Sequence, residues 1–203
     1  MRKRSSCSIP SAKTWSFFSA RATPHFTLTV RATGDGAGSV TSDPAGIDCG
    51  SDCDQPYVSG TAVTLRASPA PNAVFTGWNG CNTRTGSSCT VTMGSARFVT
   101  ARFDLQRFDL TVITSGHGRG TVTSRPTGID CGSDCSEPYA VDTTVTLTAT
   151  ARWGIVTWWD GCDTISGRGR RSRCTVTINT DRSVTVYFVR RPPTVPPTQG
   201  LPP

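Results

Sequence analysis

Two histidines, His25 and His117, are all that the 203 residues contain, and neither stands beside a serine or cysteine in a nucleophile–base arrangement. No acid–base pair or nucleophile recurs in both halves of the chain either, which argues against an enzyme. Helical periodicity is missing: no segment repeats apolar residues every 3.6 positions, whereas many short runs alternate with period two. An α-helical fold is thereby excluded. Long hydrophobic runs are also lacking. Nothing approaches the roughly 18 apolar residues of a transmembrane helix, so no membrane span is expected. Residues 1–25 begin with basic Met1-Arg-Lys-Arg4 and hold the small-residue triplet Ala20-Arg21-Ala22. Between these, Trp15, Phe17 and Phe18 are too interrupted to form the apolar core of about 7–15 residues that a secretory leader needs. The segment is expected to be a disordered basic lead or a degenerate targeting sequence.

Positive charge is abundant in the chain as a whole, at a formal +7, but scarce in its middle. Arg2, Lys3, Arg4, Lys13 and Arg21 meet no acid within residues 1–25. Residues 26–104 hold five arginines against six aspartates, and residues 108–188 hold eight against eight acids. A phosphate-binding protein needs its positive charge fixed on a folded face, so no nucleic-acid partner is expected.

What the sequence does have is a duplication. Gly46-Ile-Asp-Cys49-Gly-Ser-Asp-Cys53 returns letter for letter as Gly128 to Cys135. Around it, Gly36-x-Gly38-x-Val40-Thr-Ser-x-Pro44 matches Gly118-x-Gly120-x-Val122-Thr-Ser-x-Pro126, and Trp78-Asn-Gly-Cys81 answers Trp159-Asp-Gly-Cys162. Cys89-Thr-Val-Thr92 answers Cys174-Thr-Val-Thr177. A fixed-period repeat is the sequence signature of tandem units. The organisation predicted is a lead (1–25), one repeat (26–104), a short junction (105–107), a second repeat (108–188) and an extended, proline-dense tail (189–203). Within each repeat, Phe26-Thr-Leu-Thr-Val30, Val63-Thr-Leu65, Cys89-Thr-Val91 and Arg97-Phe-Val-Thr-Ala101 alternate as half-buried strands do. The glycine cluster 34–38 reads as a tight turn. The fold class expected is all-β: two small tandem antiparallel domains, β-grasp-like or sandwich-like, with disordered ends.

Eight of the nine cysteines fall in register between the copies; Cys7 belongs to neither. Two chemistries compete for them. Paired cysteines can hold zinc tetrahedrally, or form bridges in an oxidising compartment. The C-x3-C spacing is unusual for a zinc knuckle. The second pair widens from C-x7-C to C-x11-C, and a bridge at a loop's neck tolerates extra length because closure depends weakly on it. Disulfides Cys49–Cys53, Cys81–Cys89, Cys131–Cys135 and Cys162–Cys174 are favoured, with zinc as the alternative. Units of about 80 residues bury too little surface to be robust without such staples.

The remaining candidates are fewer. Asp48, Asp52 and Asp54 lie close together, but copy two places Ser136 opposite Asp54 and the spacing fits no calcium loop. An exposed acidic loop is expected, and neither a metal nor a cofactor is assigned. Trp78 and Trp159 precede the second cysteine pair and read as core. Trp153 and Trp158 are additions of copy two, and exposed tryptophans can stack on a sugar or a partner surface. Arg168, Arg170, Arg171 and Arg173 crowd into the inserted loop 168–173. These six are the partner-binding candidates.

Taken with G-x-G-x-V-x-S-x-P-x-G-I-x-C-G-x-x-C, W-x-G-C and the closing V-T-V/A-x-F, the chain resembles the divergent internalin-B-type bacterial repeat. The resemblance runs from Phe26 to Phe103 and from Phe108 to Phe188. It implies a small β fold, an extracellular or cell-surface setting, no catalysis, and a role as spacer or adhesive unit toward a cell-surface protein or glycan. The chain would be a monomer or part of a longer product. The alternative is a zinc- or calcium-stabilised module that uses loop 168–173 against an anionic partner.

Overall fold

The computed structural model describes residues 22–190. Residues 1–21 of the expected lead, Cys7 among them, and most of the proline-dense tail lie outside the described residues. Repeat one consists of β1 (His25–Thr33), β2 (Gly38–Asp43), β3 (Asp48–Cys49), β4 (Asp54–Val58), β5 (Ala62–Pro69), β6 (Ala73–Asn79), β7 (Thr83–Thr85), β8 (Ser88–Thr92) and β9 (Arg97–Leu105). Repeat two repeats the order as β10 (Arg107–Ser115), β11 (Arg119–Arg125), β12 (Asp130–Cys131), β13 (Ser136–Ala140), β14 (Thr144–Trp153), β15 (Ile155–Asp160), β16 (Thr164–Ser166), β17 (Arg171–Thr177) and β18 (Arg182–Val189). No helix occurs among the described residues.

Each repeat is two sheets face to face. In repeat one a four-stranded sheet β4-β1-β9-β6 covers a five-stranded sheet β3-β2-β5-β8-β7, and repeat two has the same pair of sheets in the same order. The all-β, two-domain expectation therefore holds, and of the two architectures left open the sandwich is the one built. One pairing in each repeat departs from the antiparallel pattern: β1 runs parallel to β9, and β10 to β18.

The alternation read in the sequence is what fills the space between the sheets. Leu28, Val30, Val99, Ala101 and Phe103 point inward from one sheet, and Val40, Val63, Leu65 and Val91 from the other, all buried in one cluster. Leu110, Val112, Val184, Val186, Phe188, Val122, Val145, Leu147 and Val176 do the same in repeat two. Burial of such side chains, at about 25 cal/mol per Å² of apolar surface, is the main force holding the layers together.

The glycine at the head of β2 is there for packing. A Cβ on Gly38 would lie 2.4 Å from the ring of Phe103, and one on Gly120 would lie 2.2 Å from the ring of Phe188. Neither position needs a left-handed backbone. The aromatic ring closes the core by resting on bare main chain.

One residue, Gln106, separates β9 from β10. Its N–H donates to the Asn72 carbonyl at 2.8 Å and its own carbonyl accepts from Val141 at 2.8 Å, so it ties into both repeats. The Asn72 side chain reaches across to the Asp142 carboxylate at 3.0 Å. Asp35 accepts from the N–H of Leu105 at 2.8 Å and pairs with Arg107 at 3.1 Å. The Leu105 hydrogen bond, then Arg107, hold the Asp35 carboxyl below the usual aspartate range.

Candidate binding face

The cysteine octet forms a closed corner in each repeat. Asp48 and Asp52 exchange backbone hydrogen bonds of 3.0 and 2.9 Å, and the Cys49–Cys53 disulfide locks that turn; Asp130, Asp134 and Cys131–Cys135 repeat it. A tyrosine clamps the segment before the corner. The Tyr57 hydroxyl lies 2.8 Å from that of Ser42, which accepts the Ile47 N–H at 2.9 Å, and Tyr139, Ser124 and Ile129 make the same arrangement. These hydroxyls satisfy main-chain groups that the loop would otherwise bury unpaired.

Cys81–Cys89 and Cys162–Cys174 bridge the necks of the second loops. All eight in-register sulfurs are bonded in pairs, so the zinc alternative loses its thiolate donors. The Asp52 carboxylate accepts from the Asp54 N–H at 3.3 Å, Asp54 accepts from Thr29, and no metal-holding cluster of His, Cys, Asp or Glu occurs among the described residues.

The two repeats differ most where copy two carries its insertion. In copy one, Gly77 faces Arg102 across the β6–β9 ladder, and Arg102 pairs with Asp104 at 2.9 Å while Thr76 donates to the same carboxylate. That guanidinium contact holds the Asp104 carboxyl below its usual range. Copy two places Trp158 opposite Tyr187 in the same register, with the rings stacked at 5.2 Å and 25°. A charged edge has become an aromatic ledge, with Trp158 56% exposed.

The inserted loop folds back over the β14–β15 turn. Ala151 N–H donates to the Arg170 carbonyl at 2.8 Å and Val156 N–H to the Gly169 carbonyl at 2.7 Å. These two bonds divide the four arginines read as one basic loop. Arg170 joins Trp153, Arg119 and Arg190 around a hollow of about 650 Å³. Arg168 lies beside Trp158 and Ile165 in a neighbouring hollow of about 670 Å³, and Ile155 lines both. Arg171 and Arg173 belong instead to β17 and stand exposed with Arg125 over a threonine-covered sheet face. The four arginines read as one basic loop thus stand in three places, because the loop ends at Gly169-Arg170 and β17 takes Arg171 and Arg173.

Sequence reasoning passed over Arg119, Arg190, Tyr187 and Ile155. A signal for Tyr187 was available, since copy one has Arg102 at that position of an otherwise apolar alternation. No acidic residue lines any of these three hollows among the described residues. Asp130, Asp134 and Glu137 sit in or beside the octet corner, and Asp163 is tied to the Thr177 N–H at 2.6 Å and to Arg182 at 3.0 Å. The Thr177 hydrogen bond, then Arg182, keep the Asp163 carboxyl below its usual range. The two histidines join no such cluster: His25 opens β1, and His117 offers only its carbonyl, to Arg190 at 3.1 Å.

The family whose model is described as the divergent InlB B-repeat domain matches residues 27–107 and again 110–192. A search of curated proteins returns no match. Among solved structures, the minor pilin GBS52 of Streptococcus agalactiae aligns over 88% of this chain and 99% of its own, at 7% identity and a TM-score of 0.26. A likeness that slight carries no argument about role.

Proposed function

The chain belongs to the divergent InlB B-repeat family, and on that premise we propose that it is a non-enzymatic module of the bacterial exterior, a disulfide-stapled spacer whose second repeat carries an adhesive face. The observation that carries this reading is the contrast between the copies. The same nine-strand sandwich is built twice, each shut by two bridges, yet only copy two exposes Trp153 and Trp158 beside Arg170 and Arg168. Bridged cysteines favour an oxidising setting, and exposed aromatic groups with arginine are the usual anchors of recognition. Repeat one, with glycine and an ion pair at the matching positions, supplies reach.

Binding of the fluorescently labelled full chain to bacterial and host cell surfaces tests it. Saturable adhesion that weakens in Trp153→Ala and Trp158→Ala supports the reading; a chain that adheres to neither surface leaves a spacer only.

A second reading is an anionic partner for the arginines. It is favoured by the lack of acids among the described residues that line the hollows beside them.

A further inference from the structure

The hollow bounded by Trp153, Arg119, Arg170 and Arg190 has a composition that selects its occupant, and we propose that it binds an acidic saccharide: one or two pyranose rings carrying a carboxylate or sulfate. The proposal rests on the adhesive reading of repeat two and names the ligand class for it. Trp153 is 71% exposed, so a large flat apolar face is presented to solvent rather than packed. Sugar rings offer a matching apolar face of axial C–H groups, and an indole takes them by stacking. Three arginines line the same hollow, with no acidic residue among its lining residues. Guanidinium is the side chain suited to fork-like bonding of carboxylate and sulfate oxygens.

The site is fixed in place by main chain. Arg119 sits opposite Trp153 in the β11–β14 ladder. The carbonyl of Arg170 is held by Ala151, and the side chain of Arg190 donates to the His117 carbonyl. A cavity of about 650 Å³ suits one or two sugar rings. A nucleic acid would need charge spread along a track of phosphates, whereas these three arginines border a single hollow. The matching turn of copy one, Pro69-Ala-Pro-Asn72, offers no aromatic ring and no arginine.

Calorimetry on the full-length chain tests the assignment. The probes are a tetragalacturonate, which carries carboxylates, and a heparin-derived tetrasaccharide, which carries sulfates. Maltotetraose is the neutral control, and a ten-residue oligothymidylate is the nucleic-acid control. The acidic sugars are expected to bind at least ten-fold more tightly than maltotetraose, and the better of the two identifies the anionic group. Trp153→Ala should weaken that binding ten-fold or more, and Arg170→Ser and Arg119→Ser several-fold each. Arg125→Ser and Arg173→Ser should leave it within two-fold. Unchanged thermal melting checks that Trp153→Ala still folds, as its exposure predicts; Trp153→Phe should retain part of the affinity.

Equal affinity for neutral and acidic sugars overturns the proposal. So does equal loss in Arg173→Ser and Arg170→Ser, or tighter binding of oligothymidylate. A full chain that no saccharide titrates overturns it as well. Adhesion to cells that is indifferent to Trp153→Ala refutes this site while leaving the adhesive reading intact.

Discussion

The indole N–H of Trp159 donates to the buried hydroxyl of Ser172 at 3.0 Å, whereas the indole N–H of Trp78, the matching tryptophan of copy one, is buried with no partner among the described residues. The difference arises from the insertion. Ser172 shares its one hydroxyl hydrogen between the carbonyls of Ser166 and Gly167, each at 3.3 Å, and these belong to the lengthened loop. Removing one partner of a buried hydrogen bond leaves the other desolvated and costs about 1–3 kcal/mol. Ser172→Ala should therefore destabilise repeat two by that amount in urea unfolding. Ser87→Ala, at the exposed counterpart in copy one, should change stability by less than about 0.5 kcal/mol. Trp78→Phe, which deletes an unsatisfied donor, should cost less than Trp159→Phe.

The bridges should matter in proportion to the loops they close. Cys49 and Cys53 are 4 apart in sequence, and Cys162 and Cys174 are 12 apart. On chain-entropy grounds the longer closure contributes about 0.8 kcal/mol more, on a base of about 2 kcal/mol. Paired alanine substitutions at 162 and 174 should thus lower the denaturation midpoint further than the pair at 49 and 53. A reversed order would show that local strain, not loop entropy, governs the bridges.

Gly120→Ala should damage repeat two, because the added methyl would come within 2.2 Å of the Phe188 ring and 2.6 Å of the Thr150 carbonyl. Overpacking of this kind costs about 1–3 kcal/mol, occasionally more. Adding Phe188→Leu should recover part of that loss if the ring is the obstacle. No recovery would place the damage in the backbone contact instead.

Acid should loosen the protein at identifiable points. Asp35 and Asp163 are held below the ordinary aspartate value of about 3.9, the first by the Leu105 N–H and the second by the Thr177 N–H. A carboxyl depressed in the folded state contributes stability above its unfolded value and loses it as the pH falls through the folded one. Melting temperature should therefore be flat near neutrality and drop below about pH 4. Asp35→Asn and Asp163→Asn keep an acceptor oxygen but drop the charge, and each should shallow that acid limb. An unchanged limb in both would assign the loss to other carboxylates.

Much of the fold was legible because burial follows a simple period. Alternation in Phe26–Val30 and Val63–Leu65 needs no knowledge of a partner strand, since inward and outward faces are set locally. Partnership is another matter. Parallel and antiparallel neighbours can show the same alternation, so the β1–β9 pairing was invisible. The glycine run 34–38 read wholly as a turn, yet Gly38 begins a strand and serves Phe103, which lies 65 residues downstream. The candidate face was half legible. Trp153, Trp158, Arg168 and Arg170 stood out by being extra in copy two. What no spacing rule revealed was that Arg171 and Arg173 would leave that group by entering a strand, or that Arg119 would join it from β11 and Arg190 from just beyond β18.

The parallel ladder has a mechanical meaning. The chain comes into repeat one along β1 and leaves along β9, its hydrogen-bonded neighbour, paired from Leu28↔Arg97 to Thr33↔Arg102. Tension on the two ends drags these strands past one another lengthwise, so the rungs share the load instead of opening one by one like a zip. Repeat two, with β10 beside β18, is strung the same way, and a rope made of such links resists stretching through the same joints that fold it.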